Sequence, residues 1–146
     1  MTIMTIKQLI KLENKAKEVW VVSPSLHYDV ENTDFSELVS VNLGEKTKYK
    51  YIVPATPIVA KNMKLYKKRY GLSNAEMDQN FCILHDTDFV PFLEETAIYN
   101  ATTKPIACAA PATKDGNDVI RFSTESSKKM AKAFKKIWKK YKRVNP

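Results

Sequence analysis

The chain has only three glycines, two cysteines and two histidines in 146 residues, and each scarcity excludes something. Gly44, Gly71 and Gly116 are isolated, so there is no glycine-rich loop to cradle a phosphate. Cys82 and Cys108 both sit in apolar runs, which reads as two buried, reduced thiols rather than a disulfide framework. The longest uninterrupted apolar run is Ile106 to Ala110, far short of the roughly 20 residues that cross a bilayer. The opening Met1-Thr2-Ile3-Met4-Thr5-Ile6 is followed by Lys7, Lys11 and Glu13 and has no signal-peptide core. Its repeat leaves translation free to start at Met1 or Met4. The sequon Asn100-Ala101-Thr102 is read as chance, and the expected location is the cytoplasm.

What is present suits one domain spanning 1–146. Hydrophobic residues make up 44% and charged residues 27%, which argues against disorder, and no repeat or linker divides the chain. The net charge of +8 is unevenly placed. Lys128, Lys129, Lys132, Lys135, Lys136, Lys139, Lys140, Lys142 and Arg143 carry nine positive charges, so the remainder of the chain is close to neutral. A second acid-free run holds Lys61, Lys64, Lys67, Lys68 and Arg69.

Periodicity and capping signals give the elements. Thr5 caps a helix to about Lys17, and Glu18 to Val22 is a short apolar strand stopped by Pro24. A helix from Thr33 or Asp34 runs to Leu43, where Gly44 is placed to end it in the left-handed conformation. Lys48 to Val53 is a second strand. Thr56-Pro57 pairs a capping hydroxyl with a proline at the first helical position, and Gly71 stops that helix. Ser73 and Glu76 form a capping box for a short helix near 74–79, before a third strand at Phe81 to His85. Short antiparallel strands then follow near 96–99, 105–109 and 119–122. A last helix, capped by Ser123 or Thr124, carries Met130, Phe134, Ile137, Trp138 and Tyr141 on an apolar stripe. This order predicts an α/β fold with a mixed sheet: parallel βα units in the N-terminal half, an antiparallel extension, and a closing C-terminal helix.

In such sheets ligands collect beyond the carboxyl ends of the parallel strands. That rule selects Ser25, His27 and Asp29 after the first strand, Thr56 after the second, and His85 and Asp86 after the third. They would take a nucleotide or a phosphorylated small molecule, with imidazole and carboxylate available for proton transfer. The competing reading is that these are ordinary loop residues. No metal or other cofactor is expected, because the His and Asp spacings match no zinc or calcium pattern. A Cys82–His85 nucleophile is disfavoured: residues three apart on a strand point to opposite faces.

The basic helices point to a different partner. Lys61, Lys64, Lys68, Lys128, Lys132, Lys135, Lys136 and Lys139 form candidate polyanion-binding faces, with nucleic acid or another polyanion as the expected partner. Lysine far outnumbers arginine, which suits diffuse attraction to phosphates better than bidentate base reading. Anionic lipid is disfavoured by Trp138 on the core stripe. An acidic protein partner fits the same charge, and the sequence leaves a homodimer open.

The segment Lys15-Ala16-Lys17-Glu18-Val19-Trp20-Val21-Val22-Ser23-Pro24-Ser25-Leu26 resembles the opening of phospholipase D-like domains. The helix over Phe35–Leu43, the strand Lys48–Val53 and the final helix with Phe134 and Trp138 extend the likeness over most of the chain. The resemblance implies that fold. The family's catalytic His-x-Lys-x-x-x-x-Asp is absent, since Thr87 and Phe92 stand where Lys and Asp would follow His85. The resemblance therefore implies a non-catalytic ligand-sensing or regulatory domain and carries over no catalytic residue.

Overall fold

The computed structural model describes residues 2–85, 95–110 and 118–146. Seven strands form one sheet: β1 (Thr2–Thr5), β2 (Glu18–Val22), β3 (Lys48–Pro54), β4 (Phe81–Leu84), β5 (Glu95–Tyr99), β6 (Ile106–Ala110) and β7 (Asp118–Arg121). The helices are α1 (Ile6–Lys15), α2 (His27–Glu31), α3 (Thr33–Gly44), α4 (Pro57–Tyr70), α5 (Asn74–Asn80) and α6 (Thr124–Lys142). The spatial order is β1-β7-β6-β5-β2-β3-β4. Strands β2, β3 and β4 are parallel, while β5, β6, β7 and β1 continue the sheet in antiparallel pairs. The expected mixed α/β fold closed by a C-terminal helix is present.

Alternation along each strand sorts the core into two layers. Val19 and Val21 of β2, Tyr49, Tyr51 and Val53 of β3, and Tyr99 of β5 pack with Leu9, Phe35, Leu38, Val59, Tyr66 and Met77 of the helices and with Leu26 just before α2. The other faces of the same strands present Trp20, Ile52, Cys82, Leu84 and Ile98 to Ala131, Phe134 and Trp138 of α6. The sheet thus separates α4 from α6. Cys82 and Cys108 are buried free thiols on opposite faces.

Local signals set most boundaries. Thr56 accepts a hydrogen bond from Val59 N at 3.4 Å, Pro57 opens α4, and Gly71 ends it with φ of 64°. Ser73 and Glu76 close their capping box on α5. Three expectations change. The N-terminal Thr2–Thr5, for which the sequence predicts no strand, forms an edge strand paired with β7. Residues 27–31, read as loop, form α2, entered through Leu26 in the left-handed conformation. Helix α3 opens at Thr33 as expected, with Asn32 as its cap, and ends at Gly44; the left-handed turn expected of Gly44 is taken instead by Lys46, with φ of 67°. Among the described residues no helix is long and apolar enough to cross a membrane.

Candidate functional site

Three regions carry chemistry. The first is a buried polar network that the sequence reading missed, apart from Asp29. Glu13 of α1, Asp29 of α2 and Glu95 of β5 are at most 9% exposed and line one cavity of about 20 Å³, room for about one water. Tyrosines satisfy the first two and a serine the third. Tyr49 and Tyr99 each donate to a Glu13 carboxylate oxygen at 3.0 Å, and Asn42 Nδ2 donates to Tyr49 Oη at 2.9 Å. Tyr51 donates to Asp29 Oδ2 at 2.5 Å and accepts from Tyr66 at 3.2 Å. Ser23 donates to Glu95 and accepts from Leu26 N at 2.8 Å.

Burial, with no counter-ion among the described residues, controls the protonation of this cluster. Burial, reinforced by the Asp29 charge and opposed by the two tyrosine hydrogen bonds, pushes Glu13 up to about 8. Burial raises Asp29 to about 6 against the Tyr51 hydrogen bond, and burial with the Asp29 charge holds Glu95 well above the ordinary carboxylate range. Burial thus favours the protonated form of these carboxyls. Among the described residues no group of His, Cys, Asp and Glu has the arrangement of a metal site. One sequence signal was available: Glu13 lies four residues after Leu9 and three after Ile10, on the apolar stripe of α1.

The second region is the carboxyl edge of the parallel strands. Ser25 Oγ and His27 Nδ1 lie 2.9 Å apart, and Asn62 of α4 donates to the Ser25 carbonyl at 2.7 Å. His27 is buried on α2, and Asp29 points its carboxylate into the tyrosine network. The Thr56 hydroxyl caps α4. His85 is exposed after β4, and Asp86 lies outside the described residues. The edge therefore brings Ser25 and His27 together, while Asp29 and Thr56 are engaged by the fold itself.

The third region is α6. Its Phe134 and Trp138 are 2% and 1% exposed, and Phe134 stacks on Trp20 of β2 with ring centroids 4.8 Å apart. Lys128, Lys132, Lys135, Lys136 and Lys139 are exposed and make no ion pair among the described residues. Lys129 pairs with Glu125 at 3.5 Å, and Lys142 reaches Asp78 of α5 at 3.2 Å. Lys61, Lys64 and Lys68 are likewise exposed on α4, but across the sheet from α6, so the two basic helices form separate surfaces.

No family model matches the chain, and no curated protein matches it. A solved structure does: the crystal structure of polyphosphate kinase from Porphyromonas gingivalis superposes with a TM-score of 0.60 at 11% identity. The match covers 93% of this chain and 25% of that one, so the chain spans about a quarter of the length of the kinase. At that identity the likeness is one of fold. The fold of this chain is similar to that of a part of the kinase.

Proposed function

We propose that the chain is a non-catalytic domain of phospholipase D-like shape that engages nucleic acid or another polyanion through the lysine face of α6. One observation carries this reading: α6 buries its aromatic stripe against the sheet and turns to solvent five lysines that have no acidic partner among the described residues. Ammonium groups held along a rigid helix neutralise phosphates and release their counter-ions, giving affinity without sequence preference. Absence of the His-x-Lys-x-x-x-x-Asp pattern supports the non-catalytic part. Helix α4 offers a second, separate surface, because α6 and α4 lie on opposite faces of the sheet.

The test is fluorescence anisotropy with single-stranded and duplex oligonucleotides, and with inorganic polyphosphate, at two salt concentrations. If α6 neutralises about four phosphates of a single strand, affinity falls about 50-fold between 50 and 200 mM salt. Salt-independent binding, or none, removes the reading.

The Ser25–His27 hydrogen bond favours a second reading, a nucleotide or phosphorylated small molecule at the carboxyl edge. Equal nucleotide binding in wild type, His27→Ala and His85→Ala removes it.

A further inference from the structure

Between α6 and the turn joining β5 to β6 lies a groove of about 350 Å³. Lys128, Lys132 and Lys135 form one wall; Thr102 and Thr103 stand on the other, and Trp20 contributes to the lining. The three lysines follow one another at intervals of four and three residues, so they share one flank of the helix. The Trp20 side chain is 2% exposed, and its indole N–H, a donor with no accepting capacity, has no partner among the described residues. A buried donor left unpaired is costly, and such vacancies in native folds call for a specific cause. On the turn side, Glu18 Oε1 accepts the amide and hydroxyl of Thr102, at 3.0 and 2.8 Å.

The geometry points to this groove as the seat of a phosphate group within a longer phosphate chain, with Lys128, Lys132 and Lys135 around it and the Trp20 N–H as the acceptor's fixed partner. The inference rests on the polyanion reading of α6 and adds a discrete place to it. Diffuse attraction along the helix would use Lys136 and Lys140, on its outer side, as readily as the groove lysines. A built site would not. The Trp20 N–H is closed to water, so the site requires the wall side chains to change rotamer to admit a ligand oxygen. The chemistry recognised is the phosphate itself, whether in a nucleic-acid backbone or in an inorganic chain.

Isothermal titration with tripolyphosphate and with a short single-stranded oligonucleotide separates these cases. Trp20→Phe keeps a ring against Phe134 and deletes the N–H; Lys132→Gln with Lys135→Gln opens the wall; Lys136→Gln with Lys140→Gln is the control at equal charge. We expect about tenfold weaker binding from Trp20→Phe, as for loss of a hydrogen bond to a charged group, and more from the groove pair than from the control pair. Loss confined to one probe supports the site and identifies its source of phosphate. Equal losses from both lysine pairs with Trp20→Phe unchanged would overturn the groove while leaving α6 a polyanion surface. No binding of either probe by the wild type would overturn both. Should Trp20→Phe fail to fold, the comparison of the two lysine pairs decides alone.

Discussion

Trp20 on β2 and Phe134 on α6 stack with ring centroids 4.8 Å apart and planes 18° apart, and Phe134 stacks in turn on Trp138 at 5.8 Å. This aromatic run fixes the rotation of α6 about its own axis. With that stripe inward, Lys132, Lys136 and Lys139 can only face out. The charge display is thus a consequence of core packing.

Trp138→Ala should cost about 3–5 kcal/mol, the range for emptying a large aromatic site in a core. Urea denaturation checks it. A loss under about 1 kcal/mol would place Trp138 outside the packed core.

Lys132→Glu, Lys136→Glu and Lys139→Glu together should leave the fold nearly unchanged, about 0.5 kcal/mol or less per site, because each side chain is exposed. The same variant should lose polyanion affinity. Thermal unfolding and anisotropy on one sample separate the two effects, and an unfolded triple variant would contradict the assignment of faces.

The buried acids make stability depend on pH with a definite sign. In the unfolded chain Glu13 and Asp29 ionise near their ordinary values of 4.5 and 3.8, whereas the fold holds their protons to about 8 and about 6. The folded state therefore binds more protons through this window, and stability falls as pH rises from about 4 to about 8. Glu13→Gln imitates the protonated carboxyl and should flatten the upper part of that slope. Urea midpoints at pH 5, 7 and 9 for both proteins provide the check; a wild-type midpoint rising over that range would contradict the network.

Thr56→Ala should cost about 1 kcal/mol through loss of the α4 cap, since its hydroxyl receives the Val59 amide. Thr56→Ser, which restores a capping oxygen, should recover most of it. A Thr56 acting in ligand binding alone would leave the melting temperature unmoved.

The contrast between α4 and the buried network explains what the sequence made legible. Thr56-Pro57 and Gly71 act through local backbone chemistry, so they can be read without knowing the neighbours. The mixed sheet followed from the order of elements in the same way. Strand β1 was hidden because Thr2–Thr5 has a partner, β7, more than 110 residues away. Helix α2 depends on Leu26 adopting φ of 63°, which nothing in a leucine announces. Glu13, Asp29 and Glu95 come from separate elements and meet only when the sheet has formed, and the hydroxyls that satisfy two of them, on Tyr49, Tyr51 and Tyr99, looked like ordinary strand aromatics. The basic helices were visible as charge runs, but their separation by the sheet was not, because it depends on which face each crossover takes.

The most direct measurement is the salt dependence of single-strand binding by the wild type and by the Lys132, Lys136, Lys139 triple Glu variant. The account expects a steep log–log slope for the wild type, of about −3, and a much shallower one for the variant at equal thermal stability. Identical slopes for the two proteins would contradict it.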